Sequence, residues 1–145
     1  MDTTNTASPI IRIQNVYKTY IMGEVDVPVL KGVDLEIRKS ERLLVLGESG
    51  SGKSTLMNLI GGIDSADSGS IHFDVEDIAQ YNEAQLTRYR RRQVGFVFQF
   101  YNLVPTLTAL ENVWAAGEIA EDSMDPSEAL QLVGLEDRKD HFPSQ

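Results

Sequence analysis

The segment Ile11-Arg12-Ile13-Gln14-Asn15-Val16 begins with apolar residues at alternate positions, the spacing of a half-buried strand. Residues 25–30 read as a second strand. Pro28 interrupts it and favours a sheet edge, because proline has no N–H to give a ladder. Val33-Asp34-Leu35-Glu36-Ile37 alternates apolar against charged without exception. Residues 38–41 form a turn, and Arg42-Leu43-Leu44-Val45-Leu46 reads as a buried strand. The period then changes. Residues 54–60 fit a helix that stops at Gly61-Gly62. Residues 67–70 read as a turn, Ile71-His72-Phe73 as a short strand, and residues 81–92 as a surface helix. Val94-Gly95-Phe96-Val97-Phe98 is apolar throughout, the pattern of a strand covered on both faces. Thr108 and Glu111 have capping-box spacing, and Asp125-Pro126 starts a further helix that Gly134 closes. Strands and helices in this order predict an α/β fold. There is no internal repeat and no low-complexity tract.

Between the strand at 42–46 and the helix at 54–60 lies Gly47-Glu48-Ser49-Gly50-Ser51-Gly52-Lys53-Ser54, followed by Thr55. It fits the phosphate-binding pattern G-x-x-x-x-G-K-[ST]. The glycines let successive backbone N–H groups turn inward toward phosphate oxygens. Lys53 supplies a compact positive charge for the β- and γ-phosphates, and the Ser54 hydroxyl is the expected Mg²⁺ ligand. The helix that follows aims the positive end of its dipole at the same place.

Composition narrows the classes. The chain has 145 residues, one domain or part of one, and 41% of them are hydrophobic. A net charge of −9 argues against nonspecific nucleic-acid binding. The basic run Arg88-Tyr89-Arg90-Arg91-Arg92 reads as a solvated helix end, with a phosphate or lipid patch as the alternative. With no cysteine, disulfides and thiolate zinc sites are excluded. His72 and His141 lack ligand spacing and read as structural or surface residues. Residues 1–9 are polar and read as a disordered tail, with residues 10–145 as the folded part. No stretch has the length of a transmembrane helix, so a cytoplasmic location is expected, with any membrane role reached through a separate chain and without direct insertion.

Three features in fixed order resemble the nucleotide-binding domain of ATP-binding cassette (ABC) transporters. They are Val16-Tyr17-Lys18-Thr19-Tyr20, the phosphate loop, and the segment that runs from Gly95 through Gln99 and Pro105 to Val113. The last is most similar to the branch serving lipoprotein release and macrolide export. The resemblance implies a P-loop NTPase fold of the ABC ATPase type with an N-terminal antiparallel β-subdomain. It implies ATP and Mg²⁺ as cofactors, transmembrane permease subunits as partners, and a second nucleotide-binding domain in a homodimer. Tyr20 matches the aromatic that stacks on adenine, a contact worth about 1–3 kcal/mol, with Tyr17 as the nearest competitor. Gln99 matches the glutamine that ligates Mg²⁺ or the attacking water. Glu111 is explained as a helix cap and receives no catalytic role. Ser40 and Val75 stand where the family commonly has turn glycines.

The sequence ends where the family's signature motif is expected, so the fold is read as C-terminally truncated. The signature motif, the Walker B carboxylates and the switch histidine are not found in it. Phosphoryl transfer to water needs a group that orients the water as well as a phosphate cradle. These residues alone are therefore expected to bind MgATP without hydrolysing it, with no catalytic residue in the chain. Strands expected in a central parallel sheet would keep open edges. The alternative function is a non-catalytic nucleotide-binding or interaction module from a truncated gene. A phosphate-loop kinase or GTPase would need a substrate lid or a base-recognition motif, and neither is found.

Overall fold

The computed structural model describes residues 8–145, and most of the expected tail lies outside the described residues. The chain divides into two compact units, Met1–Thr87 and Arg88–Gln145.

The first unit is built on a four-stranded antiparallel sheet in the order β2-β1-β3-β4, formed by β1 (Ile11–Met22), β2 (Val25–Ile37), β3 (Ser68–Phe73) and β4 (Glu76–Asp77). The two segments read separately at 25–30 and 33–37 are one strand, β2, and it lies at the edge as Pro28 indicates. Ile13 and Val16 are both fully buried although three positions apart, which a regular strand would place on opposite faces. The register shifts between them, and Asn15 takes a left-handed φ of 50°. This bulge turns Val16 back to the side of Ile13. The displaced Asn15 N–H is satisfied by Asp34 Oδ1 at 2.8 Å.

The expected turn at 67–70 needs correction. Ser68 onward belongs to β3, and Gly69 packs at φ +92° directly on the bulged backbone at Gln14 and Asn15, an approach that leaves no room for a Cβ. The core of this unit is Ile13, Val16, Leu30, Leu56, Leu59, Ile71, Ile78 and Leu86. Leu56 and Leu59 come from α1 (Lys53–Ile60), which ends at Gly61 and Gly62 as read. Turns fall at Ser40 and at Asp74-Val75, and Ser40 adopts φ 64° without being glycine. His72 is half-buried, and its Nδ1 is buried without a hydrogen-bond partner.

Two strand expectations fail. Residues 42–46 and 94–98 have no assigned strand, and Leu44 and Leu46 remain 77% and 79% exposed. Val97 and Phe98 are exposed as well, with Phe98 stacked on Phe96 at 5.5 Å. A strand exists only through its neighbours. Both runs have the apolar composition of central strands, but among the described residues none pairs with them.

The helix expected at 81–92 is α2 (Glu83–Gln93), whose start is fixed by a reciprocal pair: Gln85 N–H donates to Asn82 Oδ1 and Asn82 N–H to Gln85 Oε1. Arg90, Arg91 and Arg92 fill its last turn, where cations complement the dipole. Burial pushes the Tyr89 phenol up to about 12, so it stays neutral. In the second unit, α3 (Ala109–Gly117) has the expected capping box of Thr108 and Glu111. The Thr108 backbone N–H and hydroxyl hold the Glu111 carboxyl below its usual pKa. The start of α4 (Pro126–Leu132) is capped by Asp125. It ends in paired bonds from Gly134 N–H to Gln131 O and from Leu135 N–H to Leu130 O, a Schellman closure. No helix among the described residues is long and apolar enough to cross a membrane.

Candidate functional site

Gly47 to Gly52 forms a loop that leads into α1, whose first residues are Lys53, Ser54 and Thr55. Gly50 and Gly52 adopt φ of +79° and +91°, values that glycine reaches at little cost. Gly52 is the N-cap of α1 and supplies no side-chain bond to the helix. The first N–H groups of the helix therefore face outward with no intrahelical acceptor. They open on a cleft of about 240 Å³ lined by Val29 and residues 50–55. Gly52 is also required from beneath: a Cβ there would meet Val29 Cγ1 and Leu30 Cδ2 at 3.0 Å. A Cβ on Gly47 would meet Ser51 Oγ at 2.6 Å.

Lys53 Nζ donates to Gly47 O at 2.9 Å, Glu48 O at 2.7 Å and Ser51 Oγ at 3.3 Å. The ammonium is thus held over the loop by groups that an anion in the cleft can replace. Ser54 is exposed at the cleft and presents a hydroxyl oxygen. Positive helix end, lysine and free N–H groups fit a polyphosphate. The hydroxyl fits Mg²⁺, a hard cation bound through one or two protein oxygens together with substrate phosphates. An all-protein cage is not present, since no cluster of three metal-ligating side chains occurs among the described residues.

Tyr20, near the end of β1, lies in the same unit. Its hydroxyl donates to Asp64 Oδ2 at 2.7 Å, and Lys18 Nζ sits 5.1 Å from its ring centroid. The Asp64 bond and burial raise the Tyr20 pKa, and the nearby Thr55 hydroxyl opposes them, so the phenol remains a donor. For Asp64, burial works upward. Bonds from Lys18, Tyr20 and the Ser65 N–H outweigh it and hold the carboxyl below its usual value. Tyr17 is more exposed, and its hydroxyl lies against Gly32. Gln99 belongs to the second unit, where it is exposed in a bend beside Phe98 and Phe100. Glu111 is occupied by its capping bonds to Thr108, in keeping with a structural role.

Sequence reasoning gave Lys18 no role of its own and missed Val29 and Asp64. Val29 is one apolar residue of a strand, and Asp64 one acid in a turn, so neither carries a local signal that separates it from its neighbours.

A family model described as ABC transporter matches residues 30–145. The chain is 45% identical over 141 residues to the lipoprotein-releasing system ATP-binding protein LolD of Legionella pneumophila, covering 94% of this chain and 62% of that protein. It is 44% identical over 143 residues to the macrolide export ATP-binding/permease protein MacB of Brucella abortus, covering 95% of this chain and 22% of that protein. Among solved structures it is similar to an ATP-binding cassette in a dimeric post-hydrolysis state bound to ADP and Pi. That match has a TM-score of 0.82 and 38% identity, and covers 93% of this chain and 62% of the other. The chain thus spans less than two thirds of the length of these relatives.

Proposed function

The chain belongs to the ABC transporter family, and from that premise we propose that it is the MgATP-binding part of a subunit that energises export or extraction through a separate membrane permease. The observation that carries the reading is the uncapped start of α1 behind two left-handed glycines, with Lys53 held over the loop. Polyphosphate entering the cleft meets the first N–H groups of α1, and Lys53 exchanges its carbonyl partners for phosphate oxygens. Tyr20 offers its ring to the adenine base. Ser54 would offer its hydroxyl oxygen to Mg²⁺, which when bound neutralises charge on the β- and γ-phosphates, and Gln99 in the second unit is the residue that matches the family's Mg²⁺- or water-ligating glutamine. The similarity to LolD and MacB supports lipoprotein or macrolide export machinery as the setting. In it, permease subunits and a second nucleotide-binding domain are the partners, on the cytoplasmic face of the membrane.

A polypeptide of these 145 residues is proposed to bind MgATP without turning it over, because the lining of the cleft, Val29 and residues 50–55, includes no carboxylate to orient the attacking water. Calorimetric titration with MgATP tests the binding, with Lys53→Ala expected to abolish it. Phosphate release assayed on the same preparations is expected to stay at background. Turnover that disappears in Lys53→Ala would show the inactivity to be wrong.

A further inference from the structure

The phosphate loop leaves one cluster of charged groups unused. Lys18 and Tyr20, two positions apart, lie on one face of β1. Lys18 Nζ donates to Asp64 Oδ1 at 2.8 Å and to Ser65 O at 2.7 Å, and lies 3.8 Å from Asp67 Oδ1. The other Asp64 oxygen accepts the Tyr20 hydroxyl. The cluster is clamped from both sides. Thr19 N–H donates to Asp67 Oδ2 at 2.6 Å and Asp67 N–H to Tyr17 O at 3.0 Å, while the N–H groups of Ile63 and Asp64 donate to Asn58 O of α1. The Lys18 side chain is only 11% exposed, and Asp64 29%.

Asp64 therefore ties the strand that carries Tyr20 to the far end of the helix whose near end forms the phosphate cradle. One rigid helix sets the spacing between the two. An aromatic side chain on a partly exposed strand otherwise samples several rotamers, and a ligand that stacks on it must order the ring. Here the hydroxyl is anchored and the Lys18 ammonium lies against the ring.

We propose that Asp64 is a positioning residue for base recognition: it fixes the Tyr20 ring through the hydroxyl and places Lys18 against that ring, so that the remaining ring surface is presented ready-made to the purine of a nucleoside triphosphate. This rests on the reading of Tyr20 as the base platform. The charge of Asp64 serves both contacts, so a neutral isostere weakens the Lys18 bond and the Tyr20 bond together.

The test separates base from phosphate. The full chain and the variants Asp64→Asn, Tyr20→Phe and Tyr20→Ala are titrated with MgATP and, separately, with magnesium tripolyphosphate, which has no base. Asp64→Asn and Tyr20→Phe are expected to weaken MgATP binding about three- to ten-fold, the range for one side chain that must be ordered on binding. Tripolyphosphate binding is expected to stay as in the parent chain. The double variant Asp64→Asn/Tyr20→Phe is expected to be no worse than the weaker single variant, since both act on one contact. Tyr20→Ala is expected to lose about five-fold or more, again for MgATP alone. If Tyr20→Ala lowers MgATP affinity while Asp64→Asn and Tyr20→Phe leave it unchanged, Tyr20 is the platform and the positioning role is overturned. If Asp64→Asn weakens both ligands equally, the residue only supports the fold, and the proposal fails. If Tyr20→Ala leaves the ratio of the two affinities unchanged, or the parent chain binds neither ligand, the reading of Tyr20 falls and the proposal with it. Tyr20→Phe, which keeps the ring and its packing, decides the matter should Asp64→Asn not fold.

Discussion

Substituting alanine at Gly52 combines two costs, and Gly50 can calibrate one of them. Gly52 sits at φ +91°, where an L-residue is disfavoured by about 1–2 kcal/mol. Its added Cβ would also stand 3.0 Å from Val29 Cγ1 and Leu30 Cδ2 and 3.3 Å from Val29 O. Leu30 is 5% exposed and cannot move without disturbing the core, so the overlap adds about 1–2 kcal/mol by comparison with other overpacked sites. Together these come to about 2–4 kcal/mol. Gly50 has a similar φ of +79°, and a methyl group added there would meet nothing within 4 Å. Gly50→Ala should therefore cost the conformational part alone, about 1–2 kcal/mol. Urea denaturation of the parent chain and both variants, followed by far-ultraviolet circular dichroism, gives the two differences. Because Gly52 caps α1, the same variant should also lose more of the stabilisation that added MgATP confers. If Gly52→Ala proves no more destabilising than Gly50→Ala, the packing of the loop on β2 has been misjudged.

Asn112→Ala should release the segment before α3. Its side chain accepts from Val104 N–H at 2.8 Å and donates to the carbonyls of Val104, Leu107 and Thr108 at 3.2, 3.0 and 2.9 Å. A loss of about 1–3 kcal/mol is expected, read as a lower urea midpoint and faster hydrogen exchange at Val104; an unchanged exchange rate would refute it. The Asp64 carboxyl sits below its ordinary value, so the unfolded state takes up its proton first as acid is added. Its contribution is present at and above the ordinary carboxylate range and disappears as pH falls through the folded value, below about 4. Thermal midpoints should therefore drop in that acid window, and Asp64→Asn should flatten the drop; an identical acid profile in the variant would contradict the assignment.

What could be read from the chain was local. The capping box at Thr108, the proline-led start of α4 and the glycine pattern at residues 47–54 each depend on groups a few positions apart, so spacing alone specifies them. What required the fold was tertiary. The bulge at Asn15 is legible only once Asp34 and Gly69 are seen against it. Asp64 gains its meaning from Lys18 and Tyr20, more than forty positions away. The runs at 42–46 and 94–98 misled for the same reason. Apolar composition states a need for burial on two faces, but pairing makes the strand. At Ser40 the backbone takes a left-handed turn that composition alone would assign to glycine.

The edge position of β2 bears on how the molecule meets copies of itself. A sheet margin invites another chain to continue its hydrogen bonding, but β2 discourages that templating along its length. Pro28 offers no donor, Asp26, Lys31, Asp34 and Glu36 are exposed, and the register with β1 is irregular in three places. At the opposite margin β4 is two residues long, too short to seed an addition. The antiparallel sheet is therefore finished on both sides. Within this unit, the capacity to recruit a further strand resides instead in residues 42–46, next to the phosphate loop, where exposed leucines accompany a backbone that no ladder occupies. Whatever strand settles there will do so beside the cleft at the start of α1.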